Sequence, residues 1–564
     1  MIKKINSTRT DEQIKQYLEN ELWTNAFGYR KLTNFGKNAL GYWEAHNGNH
    51  WDARKVKPKK AAAVLNQIGA TIEDVLSNIT DSPPIFDVIP SNINLEDEAN
   101  VMKDVFNKYL WRKSRMDSEI QIIVRCALVV GSGHFRTECC PETRAIKTRY
   151  TSPFSCFPAP FESRIDDMPY YIQARLIPKI ILQERFGDEI KDIRKTRNIA
   201  YEFMPDMEME AAKGMWAGIK ESARQVSYGL GSLISRPTEN LNDQERLLIR
   251  EFWVKDLEKA GGVRKYPTWR YYVMVEDVIL KSISQVWQYP FIPICKIDDY
   301  TTEGYWGRGE VEWMLSPQFL INKFMSQICN YMDLVANPPV KAEIGSGVTN
   351  ENWVTRAGEI LNVNTGFFDK VDFMRVPMLP PEFVGLINNL LKILDSITGQ
   401  HAGMPTRTAA QAMLFSEAEQ SRTRPKIRNL ENGLLEWAEQ CKEYVKLHWM
   451  SGKEITIRDD DGRVVSKSFK DMEALDEMNL TISTGSTAAS SKLLKMDQVM
   501  LLPELDLQTK LETLGWANPK ELADKIEAKQ GELTQIKTQM GQMLQENQGL
   551  QQQLAQMTKQ MGGG

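Results

Sequence analysis

No run in the 564-residue sequence approaches the ~18 consecutive apolar residues of a membrane-spanning helix, and mean hydropathy is −0.41. A membrane is therefore not an expected partner. The opening MIKKINSTRTDEQIKQ has charge but no apolar core, so no secretory signal is read there. Cysteine is sparse and odd in number: Cys126, Cys139, Cys140, Cys156, Cys295, Cys329 and Cys441, with no CxxC. That pattern predicts reduced thiols in a cytoplasmic assembly compartment and excludes a disulfide framework or zinc ribbon. GxxxxGK[ST], GxSxG and HExxH are all missing. Gly131-Ser132-Gly133 and Gly307-Arg308-Gly309 each lack the third glycine of a dinucleotide loop. These absences point away from an enzyme, a resident cofactor and a metal centre. Lys+Arg is 70 against Asp+Glu 74, a net of −4, which argues against a chain that binds nucleic acid with its whole surface.

What is present is enough to build cores. The chain is 42% hydrophobic and 26% charged, and its length predicts roughly three to five units. The fold class expected is α+β, mainly helical. A helix is predicted over Asp11–Phe27, followed by a Gly/Asn/His-rich stretch and a basic run, Arg54 to Lys60. Val64, Ile68, Ile72, Val75 and Ile79 mark a helix from Ala61 to Ile79, and IFDVIP alternates like a strand. Leu95 to Val130 reads as one long helix or two in line, with Asn94 as its cap, ending at Gly131. A hairpin or meander follows to Phe157. Residues 161–260 read as mixed short helices and loops, and 263–290 as strands.

The middle of the chain predicts two amphipathic helices around a β-like insert. Ser316 is placed as the cap of the first, with Pro317 at its first position, and its stripe runs from Ile321 to Val335. The second follows Pro380-Pro381 and carries Phe383, Ile387, Leu390, Leu394 and Ile397. A long helical pattern from Thr408 to Met450 is expected to kink at Pro425. ITIRDDDGRVV predicts a hairpin, and STGSTAASS a linker. The tail has a heptad pattern with Ile526, Leu533, Met540, Asn547 and Leu554 at a and Ile536, Met543, Leu550 and Met557 at d. Three glycines outside that seam each cost ~1 kcal/mol of helix propensity, so the tail needs partners.

Several constellations have bland readings beside the chemical ones. His46 and His50 could ligate a metal, but Asn47-Gly48-Asn49 between them argues for a polar turn. The acidic pairs Asp166-Asp167 and Asp298-Asp299 and the run Asp459–Asp461 read as solvated turns before nuclease carboxylates. Cys139-Cys140 reads as two strand-end thiols. The basic run at 54–60 reads as a solvated face or a nucleic-acid contact. Arg422, Arg424, Lys426 and Arg428 could touch phosphates or pair with Glu417, Glu419 and Glu431, with no preference between the two.

Four stretches in order carry a family resemblance. They are VVGSGHFRTECC through AIKTRYTSPFSCFPAPFESRIDDMPYYIQARLIP, then PFIPICKIDDYTTEGYWGRGEVEWMLSPQFLINKFMSQI with Gln318 and Asn322 on its helix, then RTAAQAM, and then TISTGSTAASSK with LETLGWANPKELADKI. From about Ala61 to Glu527 the chain resembles the portal proteins of tailed bacteriophages, the head-to-tail connectors. The resemblance implies a ring, usually of twelve subunits, at one capsid vertex of the virion, assembled in the host cytoplasm. It implies a wing at 1–309 and 409–489, a stem at 310–337 and 381–398, a clip at 338–380, a tunnel loop at 399–408, a crown at 490–525 and a coiled-coil barrel at 526–564. Partners so implied are double-stranded DNA without sequence preference, the terminase large subunit, major capsid and scaffolding proteins, and a tail adaptor. Twelve copies at −4 each would carry a formal −48, so few channel contacts are expected. Candidates are Lys323, Lys392, His401 and Arg407, with Arg422, Arg424, Lys426 and Arg428. For clip docking they are Lys341, Glu343, Trp353 and Arg356, with clip-core packing as the alternative for Trp353. The tail heptads alone would equally suit a low-copy coiled-coil scaffold or adaptor of the virion.

Overall fold

The structure, a computed structural model, describes residues 11–51, 60–81, 83–92, 95–140, 142–194, 246–255, 259–260, 263–264, 269–281, 285–349, 353, 361–398, 409–449, 454–458, 464–468 and 478–482. The chain divides into two compact units. One comprises Met1–Thr80, Arg115–Cys139 and Ile146–Glu443; the other comprises Asp81–Ser114, Cys140–Ala145 and Tyr444–Gly564.

The first unit is organised by two antiparallel sheets. In the larger, strands run in the order Val278–Ile279, Trp269–Val275, Arg246–Lys255, Tyr170–Pro178 and Cys156–Pro158, with Gln285–Trp287 also paired to Trp269–Val275. Arg246–Lys255 is central, with Phe252 facing Ile172 on one side and Tyr272 on the other. The smaller sheet has Ser132–Cys139 between Ile294–Asp298 and Ile146–Thr151. Helix Met116–Val130 packs against it through a buried face that includes Ile120, Ile123, Val124 and Ala127. A buried ion cluster ties the sheets together. Arg136 of the smaller sheet donates to Glu251 of the larger at 2.9 Å, and Arg175 and Tyr271 bond the same carboxylate. Despite burial, which opposes ionisation, the two guanidinium groups hold Glu251 well below the usual carboxylate range.

In the second unit, Phe86–Pro90 pairs antiparallel with Met478–Ile482, across almost 400 residues of sequence. Asn107 brackets Phe86, accepting from its N–H at 2.9 Å and donating to its carbonyl at 2.8 Å. Trp449 lies edge-on to Tyr109 and donates to the Arg144 carbonyl at 2.7 Å. Strands Glu454–Arg458 and Val464–Ser468 pair as the expected hairpin.

Several sequence expectations need correction. The stretch after Phe27 is helical, because Phe35, Ala39, Tyr42 and Ala45 bury one face of helix Asn34–His46. Helix Gln67–Thr80 begins six residues later than Ala61, since the residues before it run extended on another helix. Of the two readings of Leu95–Val130, the single long helix does not hold: helical stretches lie on either side of Arg115, which turns left-handed at φ 53°. Strand Arg246–Lys255 lies where only helices and loops were expected; it is buried on both faces and so shows no alternation. Met478–Ile482 is a strand at the edge of the expected linker. The basic run from Arg54 to Lys59, Asn94, the segment 195–245, the tunnel loop, the linker, the crown and the heptad tail lie outside the described residues.

Candidate functional site

Two helices joined by a long insert dominate the C-terminal half of the first unit. Glu310–Ala336 has 27 residues and Glu382–Thr398 has 17, or ~40 and ~25 Å at 1.5 Å per residue. They pack together through Phe324 and Phe383, edge to face at 5.9 Å, with Ile387, Leu390 and Leu394 buried on the second helix. Tyr331 fixes the entry to that helix: its hydroxyl donates to the Pro377 carbonyl at 2.9 Å and accepts from Leu379 N–H at 3.0 Å. Among its described residues the insert holds one short pairing, Val340–Ala342 with Val371–Phe373.

The first helix starts at Glu310, not at Ser316, and Pro317 is interior to it. Its start is fixed by long-range contacts that outweigh the local capping signal. Tyr300 and Arg308 bridge backbones in both directions, at 3.0 and 2.9 Å, and Gly309 precedes the helix. Gly307 and Gly131 meet backbone to backbone: a Cβ on Gly131 would lie 2.2 Å from the Gly307 carbonyl oxygen, and one on Gly307 would lie 2.3 Å from that of Gly131. Ser132 links the strands here, donating to Asp298 at 2.6 Å and accepting from Gly307 N–H at 2.8 Å. Beside them His134 shares a 2.8 Å hydrogen bond with the Tyr305 hydroxyl. Burial, with Lys296 nearby, keeps that imidazole neutral by pushing its pKa well below the usual value.

Glu310 also belongs to a buried charge cluster. Lys426 pairs with Asp299 and with Glu310, the latter at 2.6 Å, and lies over the Tyr300 ring at 4.2 Å. Tyr300 donates to Glu310 at 3.0 Å. This corrects the placement of Lys426 as a DNA contact, since its side chain is 5% exposed and committed to two carboxylates.

The other candidates fall as follows. Lys323 and Lys392 are exposed on the two helices. Arg422 is exposed and donates to the carbonyls of Ser396 and Ile397, both at 2.8 Å, so it satisfies the C-terminal end of the second helix. Arg424 and Arg428 are exposed. In the insert, Lys341 pairs with Asp372 at 3.6 Å, Glu343 with Lys370 at 2.7 Å, and Trp353 stands edge-on to Phe373. His401, Arg407, Arg356 and the heptad residues lie outside the described residues. Among the described residues no group of three or more His, Cys, Asp or Glu is arranged to hold a metal ion, and no helix is long and apolar enough to cross a membrane.

Residues 33–563 match the profile of the phage P22-like portal proteins. The chain belongs to that family. No curated protein matches it. As a portal-family protein it is a virion component of the head-to-tail connection, and the match spans both units. Sequence reasoning missed three features of this portal chain: the glycine crossing, the Asp299–Glu310–Lys426 cluster, and the polar residues at every fourth position from Gln318 to Asn330. The last had a legible signal, a polar i, i+4 stripe on an otherwise apolar helix.

Proposed function

We propose that the chain assembles as a ring, twelve subunits in the usual portal arrangement, at one capsid vertex. The ring is a passive conduit for double-stranded DNA during packaging and ejection. The stem is 310–337 with 381–398, and the clip, 338–380, docks the terminase large subunit and later the tail adaptor. The wing, 1–309 with 409–489, faces capsid and scaffolding proteins; the tunnel loop, crown and C-terminal barrel follow at 399–408, 490–525 and 526–564. The observation that carries this reading, beside the family match, is exposed apolar surface on the helix pair and insert. Phe319, Met332, Val335, Ile393, Phe368 and Met378 are all exposed there, and Ile344 is 100% exposed. Such a surface calls for neighbouring copies to cover it.

Negative-stain electron microscopy of the purified chain tests this. Rings with a central hole wide enough for a duplex are expected, and they should persist when 526–564 are deleted. Particles of two or three chains, lost on that deletion, would instead favour a coiled-coil adaptor.

Channel contacts are expected to be few and sequence-independent. Lys392→Gln and Arg407→Gln should each lower the DNA retained in packaged particles and leave ring formation intact. With naked duplex, neutralising one phosphate-binding cation should reduce the salt dependence of binding by about 0.9 in log–log slope. Loss of rings in either variant would contradict the assignment.

A further inference from the structure

Residues 60–66 run extended along helix Glu310–Ala336, in the opposite direction to it. Backbone N–H groups at every second residue donate to side chains at every fourth. Ala61 reaches Asn330 at 2.8 Å, Ala63 reaches Ser326 at 2.9 Å, Leu65 reaches Asn322 at 2.9 Å and Gln67 reaches Gln318 at 3.1 Å. From Ala61 to Leu65 two extended residues advance about 6.6 Å and four helical residues about 6.0 Å, so the two repeats stay in step over three rungs; at the fourth, Gln67 N–H also meets the Leu65 carbonyl at 2.9 Å, where the segment turns into helix Gln67–Thr80. In these rungs the helix holds backbone groups of the segment and not its side chains.

The rungs are unequal. Gln318 and Asn322 are fully buried, and Gln318 donates back to the Leu65 carbonyl at 2.6 Å and to Asn322 at 3.0 Å. At this inner end Asn66 caps helix Gln67–Thr80 through Gly69 N–H at 3.2 Å, and Ile68 and Ile72 sit in the core. Toward the outer end burial fades: Asn330 is partly exposed, and past Ser326 the long helix has no buried residue. Ser326 and Asn330 each donate to the carbonyl four residues earlier, both at 2.7 Å, a pattern that favours helix bending.

We infer that residues 60–66 are a strap that releases from its Ala61–Asn330 end while the Gln318 and Asn322 rungs hold, making a hinge between Ser326 and Asn330. The inner part of the long helix is then fixed to the core, and residues 327–336, carrying the entry to helix Glu382–Thr398 with them through the two Tyr331 hydrogen bonds, can change direction on release of one or two rungs.

Hydrogen exchange read by mass spectrometry on the full chain tests this. Ala61→Pro removes the outermost donor, and Asn330→Ala removes its acceptor. Ala62→Pro is the control, since a proline fits extended backbone and residue 62 supplies no rung. Ala61→Pro and Asn330→Ala should each raise exchange in 327–336 about fivefold, the worth of one neutral hydrogen bond, and leave 311–326 unchanged. Ala62→Pro should change neither segment. Three results would overturn the inference: Ala62→Pro matching Ala61→Pro, no change in 327–336 with either rung variant, or equal rises in 311–326 and 327–336.

Discussion

Replacing Lys426 by methionine should destabilise the folded chain by about 3–5 kcal/mol, because it strands two buried carboxylates without their shared cation. Asp299 and Glu310 have side chains 0% and 3% exposed, and each keeps a second oxygen that meets no hydrogen-bond donor. Burial, with Glu310 adding repulsion, pushes the Asp299 carboxyl up to about 7 although Lys426 opposes that shift. The same two carboxylates raise the Lys426 ammonium against the cost of its own burial. Because the folded pKa of Asp299 exceeds its ordinary 3.8, the native state binds a proton that the unfolded chain has released. The stability gained is fully present below pH ~4 and is lost as pH rises through about 7. Asp299→Asn keeps the shape, leaves a one-to-one Lys426–Glu310 pair, and should flatten this dependence. Thermal unfolding at pH 5, 7 and 9 of both single variants and the double variant checks the argument. Lys426→Met should cost clearly less in the Asp299→Asn background. An equal cost in both backgrounds would show that Lys426 acts through packing alone.

The parts of this protein legible in its sequence are those encoded by near neighbours. The stripe Ile387, Leu390, Leu394 gave the second long helix at nearly its observed bounds, and the sequence ITIRDDDGRVV pointed to the pairing of Glu454–Arg458 with Val464–Ser468. Where distant residues decide, local reading failed. Ser316-Pro317 is a good helix start in isolation, yet the helix begins at Glu310 because the Tyr300–Arg308 bridge and Lys426 hold the preceding turn. Ala61–Leu65 has helical periodicity, yet its N–H groups are taken by side chains some 260 residues away. Phe86–Pro90 was recognisable as a strand, but its partner at Met478–Ile482 was not. At the candidate site, Lys323 and Lys392 are exposed on their helices, whereas Lys426, in the same basic cluster as Arg422, Arg424 and Arg428, is buried. The two glycine motifs lack the third glycine of a dinucleotide loop, and Gly131 and Gly307 serve instead where two backbones touch.

That crossing predicts the second large effect. Gly131 has φ +99°, a conformation an L side chain adopts only under strain, and a Cβ there would meet the Gly307 carbonyl oxygen at 2.2 Å. Neither obstacle is a flexible side chain, so one backbone must move. Gly131→Ala should therefore cost about 3 kcal/mol or more, combining left-handed strain with displacement of a packed strand end. Gly307→Ala tests the same contact from the other side, and Gly385→Ala is the control. Gly385 lies in helix Glu382–Thr398 with nothing within 4 Å of its Cβ position, so alanine there should add about 1 kcal/mol of helix propensity. Calorimetric melting of the three variants should show two large losses and one small gain; a Gly131→Ala protein that melts with the parent would refute the contact. A second consequence concerns assembly. The crossing sets the angle at which helix Glu310–Ala336 leaves the sheet, and a tilt of about 5° at the root of a ~40 Å helix moves its far end by about 3–4 Å. A subunit that folds with a displaced glycine turn should still fail to close rings, because that displacement exceeds what packed neighbouring helices accommodate.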